Sequence, residues 1–205
     1  MFIPKIYQNH NIEEIQDFIK HNGFAILVSQ LHQKLWATHI PMLLEKNEKG
    51  EDVLQGHISK ANLQSEIFAE GVEVLAIFNG PHSYVSSSWY NHENVPTWNY
   101  IAVHVYGNIK PLEGDKLFAH LTQLTDKYEQ KSQNPVSVQR LSLDFLKREL
   151  KGLVGFEIEI QDIQAAYKLS QNRNEHDFSN IITNLEQQND APSKAVAQSM
   201  LNLKR

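Results

Sequence analysis

WNYIAVHVYGNI, residues 98–109, alternates along its length. Ile101, Val103, Val105 and Ile109 fall on one side, and Tyr100, Ala102, His104 and Tyr106 on the other. A hydrophobic period of two predicts a strand with one packed face. Downstream, residues 154–160 place Phe156, Ile158 and Ile160 against Glu157 and Glu159, which predicts a strand with one wet face, an antiparallel trait. Upstream, Val72 to Phe78 is a solid apolar run, expected of a strand buried on both faces. Asn79-Gly80-Pro81 bends it, and Tyr84 to Ser88 continues the sheet on a new course. Phe24 to Val28, residues 34–44 and Val53 to Ser59 complete a set of six strands. A hairpin turn at Gln30 to Gln33 joins the first two, and a polar loop from Lys46 to Asp52 precedes the third.

Helical spacing appears around these strands. Ile12, Ile15, Phe18 and Ile19 form a stripe opened by Asn11, with Glu14 three residues on as its capping partner, and Asn22-Gly23 closes it. Leu117, Leu121, Leu124 and Tyr128 form a second stripe, with Asp115 as the expected cap. Leu141, Phe145, Leu146 and Leu150 form a third, and Phe178, Ile181, Ile182 and Leu185 a fourth, before a short last helix. Strands early and helices late predict an α+β fold, a small antiparallel barrel with appended helices. The expected division is residues 1–175 as one domain with inserted helices, and 176–205 as a helical extension packing on it.

Composition narrows the function classes. The chain has 205 residues, no cysteine, 19 Lys+Arg against 24 Asp+Glu, and a formal charge of −5. Absence of cysteine excludes disulfide scaffolds, thiolate-held metal clusters and cysteine nucleophiles. The net charge argues against a surface that embraces nucleic acid throughout, although it leaves room for a local basic patch. The opening MFIPKIYQNH has no apolar run after its first basic residue, and no run approaches the roughly 20 apolar residues of a membrane span. A cytoplasmic protein without membrane contact is expected. Signatures for nucleotide cradles, zinc proteases and serine hydrolases are missing. The ten histidines include no helical pair at metal-ligand spacing, so no metal site is expected.

Three clusters carry chemistry. NGPHSYVSSSWYNHENVPTWNY, residues 79–100, concentrates two tryptophans, three tyrosines and four serines between apolar strands. It reads either as an ordered loop whose aromatics complete a core, or as a pocket wall that packs on a planar ligand while serines donate to its anionic end. GHISKAN, residues 56–62, sets Lys60, a point charge suited to a phosphate, beside the neutral donors Ser59 and Asn62, with His57 one step back. Thr38-His39 interrupts an otherwise apolar strand, where a buried hydroxyl or imidazole needs a partner.

These residues resemble a known family. FIPKIY (2–7), ATHIP (37–41), GHISKAN (56–62), GPHSYVSSSWY (80–90), VPTWNYIAVHVYG (95–107), LKRELKGLVGFEIEI (146–160) and KLSQNR (168–173) together are similar to the FMN-binding negative transcriptional regulators of the PaiB type. The likeness covers nearly the whole chain. It implies a split β-barrel of the pyridoxamine-phosphate-oxidase kind, an FMN cofactor, and a homodimer with flavin near the interface. On that resemblance Lys60, Ser59 and Asn62 hold the phosphate, with His57 close by, and Thr38 and His39 flank the ring or ribityl chain. Ser86, Ser87, Ser88 and Trp89 close the pocket, Trp98 and Asn99 arrive from the other subunit, and Lys168 is a further phosphate contact.

Two classes of function follow. One is a regulator whose partner or DNA binding depends on flavin, as the family name implies. The other is a flavin-dependent oxidoreductase or flavin reductase, as other split barrels are; a haem-binding barrel stands third. The residues name no acid, base or nucleophile set for catalysis. Direct DNA binding also has little behind it: Arg140, Lys147, Arg148 and Lys151 stand against Asp144 and Glu149 on one amphipathic helix, with no basic recognition helix elsewhere.

Overall fold

Asn11 starts the first helix as its sequence predicts: its Oδ1 accepts from the Glu14 N–H at 3.3 Å, and α1 runs Ile12–His21. Ile15, Phe18 and Ile19 are buried along it, whereas Ile12, in the first turn, stays exposed. The computed structural model describes residues 1–203 of the chain. Those residues form two compact units, each assembled from separate stretches. The first takes residues 1–18, 78–104 and from 164 on; the second takes 19–77 and 105–163.

In the second unit, β2 (Phe24–Leu31) and β3 (Lys34–Pro41) pair antiparallel from Phe24↔Pro41 to Leu31↔Lys34. The turn between them is only His32-Gln33, and both residues take positive φ, 48° and 62°. That is the backbone of the tightest hairpin turn, built here without the usual Asn-Gly. The expected single strand over 34–44 is divided at Met42. Pro41 has no N–H to continue a ladder, and the Met42 N–H donates instead to the Gly23 carbonyl at 2.8 Å. The chain then enters β4 (Leu43–Lys46), which pairs with β5 (Asp52–Ser59). The side chain of Asn47 shapes the loop between them by accepting from the Lys49 and Glu51 N–H groups at 2.9 and 3.0 Å.

Three long strands pass through both units. β6 (Glu73–Val85) is continuous across Asn79-Gly80-Pro81, where a bend was expected. Its apolar run alternates, with Val74, Ala76 and Phe78 buried and Leu75 and Ile77 half-buried, so only one face is packed. β7 (Thr97–Leu112) buries Ile101, Val103, Val105 and Ile109, as its alternation predicts. β8 (Leu153–Lys168) pairs with β5, placing Gly56 opposite Phe156. A Cβ on Gly56 would lie 2.5 Å from that phenyl ring, so the residue is required to be glycine by packing. Glu157 breaks the expected wet face of β8. It is buried because Lys110 pairs with it at 3.2 Å and the Gln55 amide donates to it at 3.0 Å.

The hydrogen-bonded order is β3-β2-β6-β7-β8-β5-β4, and β1 (Gln8–Asn9) adds to β8. Eight strands therefore replace the expected six: one is the two-residue β1, and another comes from the break at Met42. The remaining helices are α2 (Gly114–Glu129), α3 (Leu143–Leu150), α4 (Glu175–Gln187) and α5 (Ala191–Leu201). Three are capped by side chains: Ser142, Asn174 and Asp190 accept from N–H groups of α3, α4 and α5 respectively. Asp115, the expected cap of α2, lies inside the first turn, because the helix begins at Gly114. Among the described residues no helix is long and apolar enough to cross a membrane.

Candidate functional site

The sequence-predicted residues fall into two groups. Thr38, His39, His57, Ser59, Lys60 and Asn62 belong to the second unit, and Ser86, Ser87, Ser88, Trp89, Trp98, Asn99 and Lys168 to the first.

In the second unit, Thr38 and Asn62 meet although they are far apart in sequence. The Asn62 amide donates to Thr38 Oγ1 at 2.9 Å, and that hydroxyl donates to Gln64 Oε1 at 2.6 Å. Gln64, wholly buried, donates on to Ser29 Oγ at 3.0 Å and to the Leu27 carbonyl at 3.2 Å. Asn62 also caps the 3-10 segment Leu63–Glu70, its Oδ1 accepting from the Gln64 N–H at 3.0 Å. Thr38 thus obtains the partner that its half-buried hydroxyl needs. Just before this network, Lys60 is pinned by its backbone, whose N–H donates to the Gly152 carbonyl at 2.8 Å, while its side chain is exposed. Ser59 Oγ accepts from the Ala61 N–H and is exposed too. An ammonium, a hydroxyl and a carboxamide therefore stand at one strand end, a donor set suited to a phosphate. His39 lies outside the network, exposed on β3, its ring 6.3 Å from that of Phe24.

His57 faces inward instead. Its Nδ1 lies 3.1 Å from Nε2 of His120, a wholly buried residue of α2. Burial holds both imidazoles below their ordinary pKa. For His120 burial, with the neighbouring His57 charge second, lowers it to about 4. Among the described residues Nδ1 of His120 has no hydrogen-bond partner. Gln64 and His120 were not anticipated from sequence, although signals existed. Asn62 is a favoured capping residue whose side chain can accept from the N–H two residues on, that of Gln64, and His120 lies on the same helical face as Leu117 and Leu124.

In the first unit, Ser86 caps the 3-10 turn Ser87–Trp89, and its Oγ lies 2.8 Å from Ser88 Oγ. α4 holds that turn: the Asn180 amide donates to the Trp89 carbonyl at 2.6 Å. Buried Asp177 accepts from the Asn91 N–H at 3.1 Å and sits 3.3 Å from His92 Nδ1. Trp98 is exposed and meets Tyr84 edge-on at 6.0 Å. Asn99 is fully buried, donating to Met200 Sδ and accepting from Ser170 Oγ at 3.0 Å, so its side chain is engaged within the fold. Lys168 donates to Thr97 Oγ1 and lies 6.0 Å over the Tyr7 ring; burial, with Arg173 nearby, lowers its pKa.

A mixed α+β fold on an antiparallel sheet defines a split-barrel protein. Residues 1–162 match the family described as "Putative FMN-binding domain", and the chain belongs to that family. It is 46% identical over 200 residues to the Protease synthase and sporulation protein PAI 2 of Bacillus subtilis (strain 168), covering 98% of this chain and 96% of the relative. The fold is similar to that of the FAD and heme binding protein from Mycobacterium smegmatis, with TM-score 0.63 and 16% identity over 84% of this chain and 79% of the other. It is also similar to that of the flavocytochrome Anf3 from Azotobacter vinelandii, with TM-score 0.61 and 13% identity over 86% and 78% of the two chains.

Proposed function

We propose that this chain binds FMN and acts as a homodimeric negative regulator of transcription of the PaiB type. The observation that carries the cofactor is the strand end around Lys60, an exposed ammonium held by its backbone beside Ser59 and the Asn62–Thr38–Gln64 network. Its chemistry fits the phosphate of FMN. Lys60 supplies charge, Ser59 and Asn62 supply neutral donors, and Gln64 keeps Thr38 and Asn62 in register from below. Ser86 to Ser88 and Lys168 are the corresponding donors of the first unit. When bound, FMN supplies electron transfer through its ring system; the protein's part is to hold and orient it. The regulator reading draws on the 46% identity to PAI 2 along nearly the whole chain. Its DNA contact, if direct, falls to Arg140, Lys147, Arg148 and Lys151, of which the last three are exposed on and just after α3.

The test is purification followed by FMN titration. Saturable quenching of flavin fluorescence, weakened about tenfold or more in Lys60→Ala, supports the site. Unchanged affinity in that variant removes Lys60 from it. Light scattering reads the dimer. A gel shift with genomic fragments at moderate salt reads DNA binding, whereas steady FMN-stimulated NADH oxidation without a retarded band assigns the chain to the flavin reductases instead.

A further inference from the structure

The strand end at Lys60 is joined to the end of α3, all within the second unit. The Lys60 N–H donates to the Gly152 carbonyl at 2.8 Å, and the Gly152 N–H donates to the Glu149 carbonyl at 2.9 Å, closing the last turn of that helix. Lys151, the C-cap of α3, is thereby carried to the corner where Lys60 stands. We propose that Lys151 is a second cation of the phosphate site, and that α3 gains order when the phosphate is held. This role for Lys151 rests on the FMN reading and extends the site from a strand end to a helix.

The first support is charge. Lys60 and Lys151 are both exposed, and among the described residues the lysine and arginine ion pairs belong to Lys46, Lys110, Lys116 and Arg148 instead. Ammonium groups brought to one corner from different elements, with no carboxylate paired to either, repel each other. Lys147 and Arg148 need no ligand to explain them, since the last turn of a helix favours cations. Lys60 comes from the end of β5 and has no such reason to be there. A phosphate monoester carries roughly two negative charges at neutral pH and can satisfy both ammonium groups at once.

The second support is the helix itself. α3 has only eight residues, and none of them is fully buried: Leu146 and Leu150 are half covered, and Leu143 is 72% exposed. So short a helix is not stable by its own hydrogen bonds and ordinarily depends on a packed face. This one depends on its ends. Ser142 caps the first turn, its Oγ accepting from the Phe145 N–H at 3.4 Å, and the bond between Lys60 and Gly152 ties the last. Segments with so little burial open most easily, and a further anchor changes them most. A phosphate held at Lys60 supplies that anchor by drawing Lys151 to it. The same lysine is then withdrawn from the basic face that Arg140, Lys147 and Arg148 present.

The experiment pairs flavin titration with amide hydrogen exchange on the full chain, using FMN and riboflavin, which has the same ring system and no phosphate. FMN is expected to slow exchange across residues 143–152 about fivefold more than across α2, in the same unit, whereas riboflavin at the same concentration does not. Lys151→Ala is expected to bind FMN about fivefold more weakly, to treat riboflavin as wild type does, and to lose the local protection with an unchanged melting temperature. Lys147→Ala, on the same helix, is expected to bind FMN as wild type does. Equal protection by riboflavin, a gain spread evenly over α2 and α3, or wild-type FMN affinity in Lys151→Ala each overturns the proposal. If FMN still saturates and Lys60→Ala weakens it, those results leave the cofactor reading standing; no saturation by FMN overturns both.

Discussion

His57 Nδ1 and His120 Nε2 face one another at 3.1 Å inside the second unit, two imidazoles with room for one proton between them. A doubly charged pair at that distance is strongly disfavoured, and burial already opposes the first charge. Both rings are therefore held neutral in the folded protein at physiological pH. The pair joins β5 to α2.

The sign of its effect on stability follows from linkage. The folded pKa of His120 is about 4 and its ordinary value 6.5, so the unfolded chain takes up the proton first. The contribution is complete above pH 6.5 and is lost as the pH falls from there toward about 4, where the folded form also protonates. The loss amounts to roughly 3 kcal/mol. Urea denaturation across that window is expected to show the decline in wild type and a shallower one in His120→Gln. Identical pH slopes in the two proteins would show that the pair does not titrate with folding.

Gln64→Leu removes the hub under Thr38 and Asn62. Ser29, buried with it, loses its donor, and the Thr38 hydroxyl loses its acceptor. Orphaned polar groups of this kind cost about 1–3 kcal/mol. A lower urea midpoint and a weaker FMN titration are both expected. A destabilised variant that binds FMN with wild-type affinity would separate the network from the cofactor.

Gly107 sits where β7 approaches β8 so closely that a Cβ would lie 2.2 Å from the Glu159 carbonyl oxygen. Gly107→Ala must push backbone apart, at a cost of about 1–3 kcal/mol or more. Gly50 has open space around it but φ +79°, so Gly50→Ala costs only the left-handed backbone penalty, about 1–2 kcal/mol. Thermal melts of the two variants are expected in that order, and the reverse order would refute the close approach.

Asp177→Ala cuts the carboxylate that receives the Asn91 N–H and stands beside His92. Hydrogen exchange at residues 89–94 is expected to accelerate. The Asn174 cap of α4 is expected to survive, since its Oδ1 accepts from the backbone N–H of residue 177, although the bond from its amide to the Asp177 carboxylate is lost. Protection unchanged at Asn91 would mean that Asn180 alone holds the turn.

Much of this architecture was legible because its signals are local. Period-two alternation found β7, and apolar spacing with a capping Asn found α1. Non-local partnerships were not legible. Glu157 looked solvent-facing because its alternation with Phe156 and Ile158 says nothing of Lys110 and Gln55, which satisfy it from other strands. The break at Met42 depends on the Gly23 carbonyl, and the inward course of His57 on a histidine of α2. For the candidate site, motif spacing located Lys60, Ser59 and Asn62 in one turn. It could not show that Thr38 joins them through Gln64, because that link closes a loop of 26 residues.

The two compact units have a consequence for how the chain is made. The polypeptide passes between them four times, once within α1 and once within each of β6, β7 and β8. Neither unit is a contiguous stretch, so neither can be excised as a fragment or exchanged as a cassette. During synthesis the second unit has all its residues only when residue 163 has emerged, and the first must wait for α4 and α5. β1, made well before its partner, must wait for Ala165 and Ala166 of β8 before its ladder can form.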